Sequence, residues 1–303
     1  MKAKSEKVQI LLSTYNGERY LRALLESLLA QDYPHVEILV RDDGSSDGTV
    51  PILREFEVEG KLRLLHGENL GFARSFLHLL ELATPEAGFF AFCDQDDIWK
   101  PDKISRAIQL LEERSEGQPA LYSGRYLLVD KDLQLLAPSR IPTCEPSLGN
   151  ALVQCLSAGC TMVINAPARD LLVEHLPVAT PSHDWWLYLV LSALGRVIYD
   201  PEPKIFYRQH ESNVIGSRLR LRDKLMKRLK GKGLKLHACT DQARELQCLY
   251  GDRLNPEKRA LLDRFLQRKS LLERLRYAWS GEIRGKSPKD DLKLKLLILL
   301  NYL

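Results

Sequence analysis

The sequence predicts an α/β protein: a mostly parallel sheet flanked by helices, followed by a basic helical C-terminal region. Three observations lead there. Apolar runs of strand length alternate with helix-periodic segments over the first half of the chain, two of those runs end in clustered carboxylates, and Lys and Arg concentrate beyond residue 217. Runs that are apolar without alternation suit strands covered on both faces, as in a parallel sheet between helices.

In order, Val8 to Leu12 reads as a strand and Glu18 to Gln31 as a helix, with Leu21, Leu24, Leu25, Leu28 and Leu29 on one face. Val36 to Val40 is strand again, and Asp47 is placed to cap a helix starting at Gly48. Leu62 to Leu65 reads as strand and Gly71 to Leu82 as helix through Phe72, Phe76, Leu79 and Leu80. Gly88 to Cys93 reads as strand, and Pro101 to Glu113 as helix with Pro in its first turn. Beyond Pro119 the expected strands are Ala120 to Val129 and Cys160 to Ile164, with helices at Ala166 to His175 and Asp184 to Ala193. Ile205 to Arg208 is strand-like, and leucine and phenylalanine pairs from Lys258 to Trp279 predict helix. The expected division is residues 1–216 and 217–303.

At 303 residues and 45% hydrophobic content the chain can bury a full core, which argues against disorder. Six cysteines (Cys93, Cys144, Cys155, Cys160, Cys239, Cys248) lack paired zinc-ligand spacing, and the polar start Met1 to Lys7 reads as no secretory signal. Reduced thiols and a cytoplasmic location are the expectation. C-terminal apolar runs such as Leu296 to Leu300 fall far short of the roughly 20 residues of a spanning helix, so no span is expected.

The net charge of +4 conceals a division, with 21 Lys and Arg against 30 Asp and Glu up to Gly216, then 23 against 10 from Ser217 onward. Arg218 to Lys235 holds nine basic residues and one Asp, with Leu221, Leu225 and Leu229 at four-residue spacing. That pattern predicts a basic amphipathic helix suited to an anionic membrane surface, or a solvated face against the rest of the chain. No interleaved aromatics or nucleic-acid motif accompanies the charge, so no nucleic-acid partner is expected.

The chemistry is concentrated in Phe89-Phe90-Ala91-Phe92-Cys93-Asp94-Gln95-Asp96-Asp97. Three carboxylates in four positions repel one another unless a cation sits among them, and oxygen-only ligands suit Mg2+ or Mn2+. The competing reading is a solvated acidic turn before a helix. A second acidic end, Asp42-Asp43-Gly44-Ser45-Ser46-Asp47, follows the strand at Val36. Ligands of open α/β sheets bind beyond the carboxyl ends of strands, and both clusters belong there.

Taken with Ser13-Thr14-Tyr15-Asn16-Gly17, Asn69-Leu70-Gly71 and Asp94-Gln95-Asp96-Asp97-Ile98-Trp99, these segments resemble the family 2 glycosyltransferases of the GT-A fold. His183-Asp184-Trp185-Trp186 and Tyr207-Arg208-Gln209-His210-Glu211-Ser212-Asn213 resemble the family's bacterial rhamnosyltransferase branch. The resemblance spans roughly residues 8 to 216, a nucleotide-binding half and an acceptor half, and leaves out the basic C-terminal part.

The resemblance implies an inverting, metal-dependent transfer of a sugar, rhamnose from a dTDP-linked donor or a sugar on UDP, to a cell-surface or lipid-linked glycan. It carries donor contacts onto Thr14, Tyr15, Glu18, Asp42, Asp43, Arg74, Asp94 and Gln95. Tyr15 would stack on the base, and Asp42 or Asp43 would accept hydrogen bonds from base or ribose. Metal ligation falls on Asp94, Asp96 and His210, with Mg2+ or Mn2+ neutralising the departing nucleoside diphosphate. His210 equally suits the diphosphate or an ordinary surface position. Asp97 is open between sugar and ion, Trp99 between site wall and core, and Arg74 between diphosphate and solvent. Asp184 would be the general base, its other reading being a helix cap, and this chain has His183 where many relatives carry Glu. The family builds cell-envelope glycans on lipid carriers, and such an acceptor would suit a peripheral role for residues 217–303 at the inner face of the cell membrane.

Two other classes fit parts of the pattern. A sugar nucleotidyltransferase shares an acidic metal crevice but expects a phosphate loop that Ser13 to Gly17 lacks. A non-catalytic nucleotide-sugar-binding or membrane scaffold would tolerate loss of Asp184. The Gln-x-x-Arg-Trp signature of processive synthases and the P-loop of phosphotransferases are both absent from the chain.

Overall fold

The computed structural model describes residues 6–178, 180–210 and 238–301. These form two compact units, residues 1–141 with 157–208, and residues 142–156 with 209–303. The basic amphipathic helix expected from Arg218 until Gly231 lies outside the described residues.

In the first unit the chain runs β1 (Val8–Thr14), α1 (Glu18–Leu29), β2 (Val36–Asp42), α2 (Thr49–Val58), β3 (Arg63–His66), α3 (Phe72–Leu82) and β4 (Phe89–Cys93). It continues through β5 (Ile98–Trp99), α4 (Lys103–Arg114), β6 (Ala120–Gly124), β7 (Leu127–Val129) and β8 (Leu135–Pro138). After a short α5 (Leu148–Ala151) in the second unit come β9 (Val163–Asn165), α6 (Ala166–Glu174), α7 (His183–Leu194), β10 (Arg196–Asp200) and β11 (Ile205–Arg208).

The main sheet has seven strands in the order β10-β6-β9-β4-β1-β2-β3, and β9 alone runs against its neighbours. The mixed, mostly parallel sheet is therefore the predicted architecture. Its core follows from the sequence periodicity: α1 buries Leu21, Leu24, Leu25 and Leu28 against Val8, Ile10 and Leu12 of β1. Each such leucine contributes about 1.5–3 kcal/mol over an exposed one. Helix α7 is buried on nearly every side, including Trp185, Trp186, Leu187 and Leu191, so its apolar character runs right round.

One expected strand divides. Ala120 to Val129 breaks after Gly124, where Arg125 donates its backbone N–H to Asp200 O and the chain passes to a second sheet, β5-β11-β7-β8. The expected strand at Cys160 also starts later: Gly159–Thr161 is a 3-10 turn, and β9 follows it.

In the second unit the described helices are α5, α8 (Ala238–Tyr250), α9 (Pro256–Leu266), α10 (Leu271–Trp279) and α11 (Pro288–Leu299). The expected run from Lys258 to Trp279 is thus two helices, because Ser270 caps the second, with Glu273 returning a bond to the Ser270 N–H. Residues 142–156 are tied to the loop before α11 by Asn150 Nδ2 donating to Arg284 O at 2.7 Å and Lys286 N donating to Gln154 Oε1 at 3.2 Å. Arg274 donates to Leu299 O at 2.7 Å, joining α10 to α11. Among the described residues no helix is long and apolar enough to cross a membrane.

Candidate active site

Parallel pairing brings the carboxyl ends of β1, β2 and β4 side by side, with Thr14 opposite Asp42. Thr14 Oγ1 donates to Asp42 Oδ2 at 3.0 Å, and Ser45 donates to Asp42 through its backbone at 2.9 Å and its hydroxyl at 2.6 Å. Asp43 is buried, pairs with Arg41, and accepts from the Gly71 N–H at 2.9 Å. The turn between them needs Gly44, at φ +82°, which a side chain would strain. Asp42 and Asp43 thus stand fixed at the strand end.

Three loops are tied together beside them. The Gln95 carboxamide accepts from Tyr15 N at 2.8 Å and donates to Tyr15 O at 2.9 Å, while Tyr15 as a residue is 48% exposed. Tyr15 is thus presented to solvent on an anchored backbone. Glu18 accepts from Gly48 N at 2.5 Å, and its own N–H donates to Asp47 at 3.2 Å. Glu18 therefore clamps the loop after β1 to the one after β2. Arg74 is exposed on the first turn of α3 and donates to Val178 O at 3.2 Å.

At the end of β4, Asp94 and Asp96 are half-buried and Asp97 is fully buried. Asp97 Oδ1 accepts from Arg208 N at 3.2 Å; no nitrogen or oxygen donor reaches Oδ2, whose neighbour is the Cys160 thiol. Arg208 also donates to Asp96 O at 2.9 Å and to Lys131 O at 2.8 Å, and lies over Tyr20 at 4.4 Å. Ligand atoms of Asp94, Asp97 and Cys160 lie within 4.8 Å of one another. Cys160 sits in the 3-10 turn Gly159–Thr161 that leads into β9, whose Val163 pairs antiparallel with Ala91 near the end of β4. Burial, then the charges of Asp96 and Asp184, push Asp94 up to about 7. Burial raises Asp97 as well, with Asp96 and Asp94 adding to it. A buried carboxylate oxygen reached by no nitrogen or oxygen donor, among carboxylates that repel each other, is a setting a divalent cation fits.

Asp184 lies beside the same group: a Cβ on Gly159, the neighbour of Cys160, would stand 3.2 Å from Asp184 Cβ. It sits in the first turn of α7, where Oδ1 accepts from Trp185 N at 2.8 Å. His183 beside it is buried, its ring 4.0 Å from Phe76 and 5.5 Å from Phe92, and burial pushes its pKa down to about 4. Neither ring nitrogen has a hydrogen-bond partner. A Cβ on Gly159 would come within 2.7 Å of His183 Nε2 and 3.2 Å of Asp184 Cβ, so the bare glycine lets α7 approach the carboxylate cluster.

The structure therefore gathers Asp94, Asp96 and Asp184 at one rim and places Thr14, Tyr15, Asp42, Asp43 and Gln95 along the neighbouring strand ends. His210 falls in the second unit. Trp99 is buried in the core with the Lys103 ammonium 3.1 Å from its ring centre, so it is not a site wall. Burial pushes that lysine down to about 7. Sequence reasoning missed Gly159, Cys160 and Arg208. The small-residue run Ser157-Ala158-Gly159-Cys160 ahead of Met162 to Ile164 was the available signal.

The family model described as Glycosyl transferase family 2 matches residues 9–121. The dTDP-rhamnosyl transferase RfbG of Shigella flexneri is 30% identical over 231 residues, covering 70% of this chain and 76% of the relative. The putative teichuronic acid biosynthesis glycosyltransferase TuaG of Bacillus subtilis is 31% identical over 156 residues; the match takes in half of this chain and 60% of TuaG. Among solved structures, Staphylococcus aureus TarS 1–349 in complex with UDP-GlcNAc superposes with a TM-score of 0.59 at 19% identity, covering 98% of this chain and 79% of TarS, a likeness of fold. With strand ends, acidic rim and relatives in agreement, the chain belongs to glycosyltransferase family 2 and has its GT-A fold.

Proposed function

We propose that the protein is an inverting glycosyltransferase that moves rhamnose from a dTDP-linked donor onto a cell-surface polysaccharide or lipid-linked glycan, with Asp184 as general base. The observation that carries the reading is the convergence of Asp184 with Asp94 and Asp96 at the rim beside Tyr15 and Asp42. The rhamnosyl donor comes from the likeness to RfbG.

Tyr15 stacks on the base, and Asp42 or Asp43 accepts hydrogen bonds from base N–H or ribose hydroxyl groups. Asp94 and Asp96 would hold Mg2+ or Mn2+, and the bound cation would neutralise the nucleoside diphosphate as it departs. Asp184 takes the proton from the acceptor hydroxyl as its oxygen attacks the anomeric carbon from the face opposite the leaving group. The glycosidic bond forms, the bond to the diphosphate breaks, and the anomeric centre inverts. A carboxylate in hydrogen-bond reach of the hydroxyl is all the base requires.

The test is a thermal-shift panel of dTDP-, UDP- and GDP-sugars with Mn2+ and with chelator, followed by transfer assays of Asp184→Asn. The expected pattern is stabilisation by one donor dependent on the cation, with the variant retaining that stabilisation and losing transfer. Stabilisation by no donor, or full transfer by the variant, would overturn it.

A further inference from the structure

Helices α10 and α11 present an apolar surface to solvent. On α10, Leu271, Leu272, Leu275 and Trp279 are all exposed and fall within one stripe about 100° wide. On α11, Leu292, Leu296 and Leu300 are exposed at four-residue spacing, while Leu294 and Ile298 are buried on the inner side. Helix α11 is thus apolar on both its inner and outer faces, and a helix of that kind is ordinarily covered on both. The Lys295 ammonium lies 5.6 Å from the Trp279 ring centre and links the two exposed rows.

Charge selects the occupant. Residues 267–301 carry nine Lys and Arg against four Asp and Glu, so a second copy would bring together two surfaces of the same sign. Basic residues around leucines and a half-exposed Trp instead match the interface of an anionic bilayer. The helices are 9 and 12 residues long, which suits lying on such a surface.

We infer that the α10–α11 hairpin is a membrane-docking face, its leucine rows and Trp279 seated among the headgroups of an anionic bilayer and its Lys and Arg contacting lipid phosphate. This deepens the proposed function by naming the surface on which a lipid-linked acceptor would be met, yet it is measured without donor or transfer.

The chain supplies its own probe. Of four tryptophans, Trp99, Trp185 and Trp186 are buried and Trp279 is 62% exposed. The full-length protein is titrated with phosphatidylcholine vesicles, with and without phosphatidylglycerol, and with brominated lipid. Anionic vesicles are expected to shift tryptophan emission to shorter wavelength, and brominated acyl chains to quench it. Leu272→Glu combined with Leu296→Glu should weaken partitioning by about tenfold or more, with thermal unfolding unchanged because both positions are exposed. Lys289→Glu with Lys293→Glu should remove the preference for anionic over neutral vesicles. Absence of quenching, or equal partitioning by the leucine variant, overturns the inference. So does a lipid-free dimer of the wild type that the leucine variant abolishes, which would make the face a self-association surface. Loss of donor-induced stabilisation with vesicle binding intact would count against the transferase reading alone.

Discussion

Replacing Gly159 with Ala tests how tightly the base is placed. The added Cβ would stand 2.7 Å from His183 Nε2 and 3.2 Å from Asp184 Cβ, where ordinary contacts of this kind keep beyond about 3.4 Å. His183 has no room to retreat, because Phe76 and Phe92 flank its ring. Relief therefore falls on the first turn of α7, which carries Asp184 and has to move by roughly 0.5 Å or more. Displacement approaching 1 Å from productive geometry costs about 10²-fold. The expected result is a kcat reduced about 10- to 100-fold, or some 1.4–2.7 kcal/mol in the barrier. Overpacking should also lower stability by about 1–3 kcal/mol. The assay measures nucleoside diphosphate release with acceptor present, alongside donor affinity by calorimetry. Donor affinity should change little, since Tyr15 and Asp42 lie on other strand ends. A Gly159→Ala enzyme with wild-type kcat, or one losing donor affinity as much as kcat, would show that Gly159 does not set the position of Asp184.

Asp184→Asn keeps the cap to Trp185 N but cannot take a proton, so kcat should fall by about 10²–10⁴-fold with donor affinity retained, as read in the same assay. Asp94 has a folded pKa raised to about 7 from an ordinary value near 4; it binds more protons folded than unfolded, so without cation stability should fall as pH rises from about 4 to 7. Urea unfolding across that window should show the slope, and Mn2+ or Asp94→Asn should flatten it. His183 works in the opposite sense: its pKa drops to about 4, so its contribution is lost as pH falls from about 6.5 to 4, and His183→Phe should remove that acid-side loss. Gln95→Ala removes both bonds that fix the Tyr15 backbone and should weaken donor binding about 5- to 30-fold by calorimetry, leaving kcat at saturating donor nearly unchanged.

Much of this arrangement was legible because strand ends announce themselves. An apolar run that ends in Asp is a local signal, and β2 and β4 each carry one while β1 ends in Ser13-Thr14-Tyr15-Asn16-Gly17, so the donor side could be assembled from short segments. Helix α1 was legible for the same reason, its leucines repeating on one face. What escaped depends on partners distant in sequence. Nothing in Ala120 to Val129 says that its halves belong to different sheets, because the break is made by a bond from Arg125 to Asp200. Cys160 reads as an ordinary buried thiol until the 3-10 turn ahead of β9 brings it into one cluster with Asp94 and Asp97. Lys103 opens an amphipathic helix, where a lysine is expected in water, and only the fold lays it on Trp99. Glu18 reads as a ligand contact from its place in a motif, whereas its carboxylate is engaged with the Gly48 N–H.

The reversal of β9 in the main sheet bears on how such a protein can change over evolutionary time. Each parallel strand must be reached by a crossover long enough to carry the chain back across the sheet, so inserting or deleting residues near a strand end disturbs a helix as well. A strand running the other way starts at the functional rim, and the segment ahead of it is under no such obligation. Residues can be gained or lost before Gly159 while Val163 to Asn165 keep their register on Phe89 to Ala91. The β9 side of the rim is thereby open to diversification by simple changes of length, whereas the side formed by β1, β2 and β4 is held by the geometry of its crossovers.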